Sequence, residues 1–174
     1  MAAVIATERM DLVPLPADLL RLIERGQMAA LERRLGARVP AGWADGIPAS
    51  LRLEQLAADP SQAPWLVRAM VLRAPRRVVG SVGFHAPPDR NRRVEIGYDV
   101  VATERRKGYA REGIHGLAAW AFATGRAQTC VASVSPDNAA SLALVRSLGF
   151  RQVGQQIDDV DGLELVFERQ LPLA

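Results

Sequence analysis

The stretch from Val94 to Val134 constrains the fold more than any other part of this 174-residue chain. An extended run, Val94 to Val101, leads into Arg105-Arg106-Lys107-Gly108-Tyr109-Ala110, where a helical pattern opens and lasts to Gly125. A short apolar run, Thr129 to Val134, follows. A strand, a crossover helix and a second apolar strand read as parallel neighbours in one sheet, joined by a right-handed crossover. The glycine turn gathers unpaired backbone N–H groups and the positive end of a helix dipole beside basic side chains, which is a phosphate-binding construction. Alone, that six-residue signal is weak, because glycine turns before helices are common and paired arginines are most often solvated surface.

The flanking segments give it context. Thr7 to Leu15 reads as a first strand closed by Pro14 and Pro16. Apolar spacing then predicts helices over Ala17–Arg25 and Met28–Leu35, with another helical turn over Leu51–Ala57. Between them, Val39 to Pro48 is an irregular stretch carrying Trp43, expected either as an exposed tryptophan on a substrate lid or as a hydrophobic plug. Trp65–Leu72, Arg77–His85 and Arg93–Val101 read as a three-strand antiparallel meander. In the helix after the glycine turn, Ala110, Ile114, Leu117, Ala118, Ala121 and Phe122 share the face expected to pack on the sheet, leaving Arg111, Glu112 and Arg126 to water. Asp137 or Asn138 caps a further helix, Ala139–Leu148, which Gly149 ends. Arg151–Gln155 and Leu163–Arg169 form a closing hairpin around an acidic turn from Asp158 to Gly162. The whole chain, 1–174, reads as a single domain.

Composition narrows the function classes. The net charge is only +3, and no basic run is interleaved with aromatics, so nucleic-acid binding is set aside. Nothing resembles a spanning segment or a secretory leader, so the expected location is the cytoplasm, with no membrane partner. The single cysteine, Cys130, is expected to be a buried core thiol on a strand. His85 and His115 lie in different elements without ligand spacing, which gives no reason to propose a metal. Lys107 precedes Gly108 and no Gly-Lys-Ser/Thr follows a glycine-rich loop, which disfavours a P-loop nucleotide enzyme.

Several motifs now stand in order: Glu95-Ile96-Gly97-Tyr98, the Arg105–Ala110 turn, Glu112, Ser135-Pro136-Asp137-Asn138-Ala139-Ala140-Ser141, and Leu148-Gly149-Phe150. Together they resemble the GNAT superfamily of acyl-CoA-dependent N-acetyltransferases, and within it the branch of ribosomal-protein N-terminal acetyltransferases. The resemblance implies an α/β fold of the α+β kind: a mixed, mostly antiparallel twisted sheet of about six or seven strands flanked by about four helices. It also implies acetyl-CoA as acyl donor and an amine on a small molecule or peptide as acceptor. A homodimer is compatible with such a fold, although no residue pattern demands one.

By that resemblance, the coenzyme A pyrophosphate would sit on the backbone of Arg106, Lys107, Gly108, Tyr109 and Ala110, with Arg105 or Arg106 near the phosphates. Pantetheine would pair with the strand backbone at Tyr98, Asp99, Val100 and Val101, and an N–H near Tyr98 or Asp99 would polarise the thioester carbonyl. Asn138 would bond the pantetheine arm and Ser141 would lie near the sulfur. Acetyl transfer needs a base to free the amine, for which Glu95 leads, followed by His85 and Asp99. Many family members use a tyrosine on the late helix to assist the leaving thiolate, and this chain has none there. Ser141 is the candidate donor in its place, unless its hydroxyl bonds its own helix backbone. The acidic residues Asp158, Asp159, Asp161 and Glu164 read either as an attraction for a cationic acceptor or as a solvated turn. A non-catalytic acyl-CoA-binding regulatory domain is the alternative reading, since its cofactor site would look the same.

Overall fold

The computed structural model describes residues 2–160 and 162–173. Its strands are β1 Ile5–Ala6, β2 Met10–Pro14, β3 Arg68–Leu72, β4 Arg77–Phe84, β5 Arg93–Val100, β6 Thr129–Val134, β7 Arg151–Asp158 and β8 Gly162–Gln170. Its helices are α1 Ala17–Glu24, α2 Met28–Leu35, α3 Ala49–Ala58, α4 Tyr109–Ala123 and α5 Ala139–Ser147. One eight-stranded sheet runs in the order β1-β2-β3-β4-β5-β6-β8-β7, and every neighbouring pair is antiparallel except β5 and β6. The fold class is the expected one, with slightly more strands because β1 forms a short hairpin with β2 that carries too few residues to show a period.

The sheet separates two hydrophobic clusters. On one face α4 and α5 pack Tyr109, Ile114, Leu117 and Val145 against Met70, Val82, Val94 and Ile96. On the other, α1 to α3 pack Leu20, Ile23, Leu31 and Leu56 against Val67, Ala69, Val71 and Val78. β3 is buried on both faces along its whole length and is correspondingly apolar, except at Arg68. That guanidinium is 1% exposed, donates to the carbonyls of Ala3 at 2.7 Å and Pro64 at 2.8 Å, and lies 5.2 Å from the Trp120 ring centre. Burial pulls its pKa down to about 10, so it remains charged at neutral pH.

One pair of alternatives is decided and two expectations need correction. Trp43 is 3% exposed and belongs to a single 3₁₀ turn, Trp43–Gly46, that fills the second cluster; it is a plug and no exposed lid residue. Phe122 is 44% exposed, because one further residue of helical rotation carries it off the face that Ala118 and Ala121 share. Glu112 does not face open water: its carboxylate accepts from the Thr7 hydroxyl at 2.6 Å and from the Arg9 amide and Nε at 2.7 Å each, tying α4 to the β1–β2 hairpin. The acidic turn includes Asp161, which lies outside the described residues.

Candidate active site

The parallel ladder between β5 and β6 covers only Arg93–Glu95 against Thr129–Val131. Beyond it β6 continues to Val134 paired with β8, while β5 continues to Val100 paired with β4, so the sheet splits there. Strand alternation decides which backbone groups face the split. The Glu95 carbonyl accepts from His85 N at 2.9 Å and Val101 N donates to the Val79 carbonyl at 3.0 Å, so odd-numbered residues turn their backbone to β4. The Arg92 carbonyl accepts from Gln128 and Thr129 N, on the β6 side. No register shift interrupts β4–β5, so the N–H and C=O of Ile96 and Tyr98 face the gap, and those of Asp99 do not. Val101 is committed to the sheet, and the Val100 carbonyl accepts from Arg105 Nε at 3.0 Å.

The gap opens into a cavity of about 560 Å³ between β5, the turn before α4 and the start of α5. Its wall includes Tyr98, Asp99, Val100, Arg105, Arg106, Gly108, Tyr109, Ala110, Asn138 and Ser141. In the turn, Arg106 has φ +62° and Gly108 φ +84°, left-handed backbone of the kind found in anion-binding concavities. No side chain caps α4, and the amides of Tyr109, Ala110 and Arg111 have no hydrogen-bond partner among the described residues. Arg9 braces the turn from below; its Nη1 donates to the Lys107 carbonyl at 3.0 Å and its guanidinium lies 4.6 Å from the Tyr109 ring centre. Lys107 is turned away, its Nζ bonded to Glu104 at 3.0 Å, and it does not line the cavity. Lys107 and Arg77 together hold the Glu104 carboxyl below its usual pKa.

Asn138 and Ser141 are joined by the helix cap: Asn138 Oδ1 accepts from Ser141 N at 3.0 Å, which leaves the Asn138 amide nitrogen free to donate.

On the opposite face of β5, a second cavity of about 250 Å³ is lined by His85, Asp89, Arg93, Glu95, Ser133 and Gln156, among others. Glu95 Oε1 accepts from the Ser133 hydroxyl at 2.5 Å and lies 3.8 Å from His85 Nδ1. Gln156 Nε2 donates to Ser133 Oγ at 3.2 Å and to Glu164 Oε2 at 3.0 Å. The imidazole covers Gly97, where an added Cβ would come within 2.9 Å of His85 Nε2. The His85 carbonyl is clamped by Arg52 and Gln55 of α3, each at 2.9 Å. Sequence reasoning picked out Glu95 and His85 but missed Ser133, Gln156 and Arg52, which approach from other strands and helices. Asp99 is exposed at the edge of the 3₁₀ turn, with Oδ2 3.6 Å from the position of a Cβ on Gly46. Among the described residues no cluster of side chains could hold a metal ion.

A sequence model described as an acetyltransferase (GNAT) domain matches residues 9–151. The chain belongs to the GNAT acetyltransferase family. It is 34% identical over 82 residues to the uncharacterized N-acetyltransferase YoaA of Bacillus subtilis, covering 47% of this chain and 46% of that one. The chain therefore matches about half the length of such curated relatives. Among solved structures, a Vibrio cholerae protein provisionally described as a ribosomal-protein-serine acetyltransferase superposes with a TM-score of 0.70 at 17% identity, covering 98% of this chain and 100% of that one. The microcin C7 self-immunity acetyltransferase MccE, solved with acetyl-CoA and AMP, gives a TM-score of 0.65 at 18% identity over 94% of this chain and 93% of that one. At such identities the likeness is one of GNAT fold.

Proposed function

We propose that this protein is an acetyl-CoA-dependent N-acetyltransferase that passes the acetyl group directly to a primary amine while both substrates are bound. The observation that carries the reading is the β5–β6 split, with arginines and amides that have no partner among the described residues on the α4–α5 face and an ordered carboxylate on the other. One mouth suits an anionic thioester and the other a cation.

The amides of residues 106–110 bind the pyrophosphate, and Arg105 and Arg106 add charge beside it. The Asn138 amide nitrogen donates to the pantetheine arm. The Tyr98 N–H, which with that of Ile96 faces the split, polarises the thioester carbonyl. Glu95 takes the proton from the acceptor ammonium, directly or through a water, with the Ser133 hydroxyl fixing its orientation; His85 and Asp99 rank behind it. The freed amine attacks the carbonyl carbon, the C–N bond forms, and the C–S electron pair leaves with sulfur, to which the Ser141 hydroxyl donates a hydrogen bond. A protein N-terminal α-amine is the first acceptor to test, since the similar solved structures include enzymes described as ribosomal-protein acetyltransferases. Small-molecule amines come second. We place the activity in the cytoplasm, consistent with the absence among the described residues of any helix long and apolar enough to cross a membrane.

The test is calorimetric titration with acetyl-CoA of the wild type and of Gly108→Glu, which puts a negative side chain on left-handed backbone in the phosphate turn. Binding by the wild type alone is expected, followed by thiol release with at least one amine of a panel. Glu95→Gln should then lower kcat by about 100-fold or more with acetyl-CoA affinity kept. Binding without turnover on any amine would favour the regulatory domain, and no binding by the wild type would sink the enzyme reading.

A further inference from the structure

Tyr98 has an unexplained hydroxyl. Its ring packs on the first hydrophobic cluster, and its oxygen is sealed from solvent with no hydrogen-bond partner among the described residues. Leaving a buried hydroxyl unpaired is destabilising, so such a group in a cavity wall calls for a reason. Ser141, on α5, lines the same cavity wall, and its hydroxyl acts on the Tyr98 phenol.

Ser141 is unusual in turn. Two other hydroxyls at helical positions bond back to their own helix: Ser147 Oγ to the Leu144 carbonyl at 2.7 Å and Thr124 Oγ1 to the Ala121 carbonyl at 2.6 Å. Ser141 stands in the first turn of α5, three residues after its cap, and the Asn138 carbonyl a turn behind it takes the Leu142 amide at 3.0 Å. Among the described residues its hydroxyl makes no such bond to its helix, so it can be directed elsewhere.

We propose that Tyr98 is a positioning residue: its hydroxyl donates to Ser141 Oγ, occupying a lone pair there and turning the Ser141 proton into the cavity toward the sulfur of coenzyme A. The inference rests on the acetyltransferase reading above. Burial pushes the Tyr98 phenol above its ordinary pKa, with the Ser141 hydroxyl pulling the other way, so at neutral pH Tyr98 keeps its proton. No proton need pass from tyrosine to sulfur. The C–S electron pair leaves as a thiolate, the two hydroxyls stabilise that charge in series, and its proton comes from the amine by way of Glu95 and solvent. A side chain on the strand thereby supports a donor on the helix, where the family's late-helix tyrosine is missing.

The test reads the thiol of bound coenzyme A by its thiolate absorbance as pH is raised, in the wild type, Tyr98→Phe, Ser141→Ala and the double variant, alongside kcat. The wild type should bind coenzyme A with a thiol pKa below that of the free molecule. Both single variants should move it back, with kcat about 10-fold lower in Tyr98→Phe, an unchanged KM for the acceptor, and no additional loss when Tyr98→Phe is added to Ser141→Ala. If Tyr98→Phe leaves thiol pKa and kcat as in the wild type, or if the two losses multiply, the relay is wrong while the enzyme stands. If the wild type binds no coenzyme A, the proposed function fails and takes the relay with it.

Discussion

Cys130 shows what position does to a side chain that the reaction does not use. It is fully buried on β6, and burial, with the nearby Glu95 charge, pushes its thiol up to about 12. In the native protein it should therefore resist alkylation at pH 8 and react only as the chain unfolds, a rate measurable by thiol titration against urea. Linkage gives the sign of its pH effect. The folded pKa lies above the unfolded one, so its stabilisation is complete below about 9 and is lost as pH rises toward about 12, by about 1.4 kcal/mol per pH unit. Cys130→Ala should flatten that alkaline slope while losing packing at every pH.

Between elements, the contact that braces the glycine turn is the one from α4 to the β1–β2 hairpin. Burial pushes the Glu112 carboxyl up, but the Thr7 and Arg9 donors outweigh it and hold its pKa below the usual value. Glu112→Gln should cost about 1–3 kcal/mol at pH 7 in urea unfolding. Because the folded pKa is depressed, the difference from wild type is present above about 4.5 and should shrink as pH falls through the folded value. The same substitution frees Arg9, which braces the Lys107 carbonyl, so acetyl-CoA should bind several-fold more weakly, and calorimetry would detect it. An unchanged affinity would limit Glu112 to stability.

At the scale of the whole molecule, a ligand that bridges β5, α4 and α5 should stabilise the native state by mass action. Acetyl-CoA at about 100 times its dissociation constant adds about 2.7 kcal/mol, which in a domain of this size raises Tm by roughly 5–10 °C. Gly108→Glu should abolish that shift. Most of the architecture was legible in advance because it is written in local periodicity. β6 was read with its observed ends, and α1, α2 and α5 to within a residue; Asn138 caps α5, and Gly149 ends it with left-handed backbone at φ +79°. The glycine turn before α4 was legible for the same reason, since its six residues are contiguous and carry their own backbone geometry. Glu95, His85 and Ser141 were named as residues, but their surroundings were not. Ser133 lies 38 residues from Glu95, and Arg9 lies 103 residues from Glu112. No period links such pairs, so only the packed sheet decides them. Tyr98 shows the division most plainly. The strand pattern alone puts its side chain on the same face as Val94 and Ile96, while its sealed, unpaired hydroxyl opposite Ser141 exists only once α5 closes over β5.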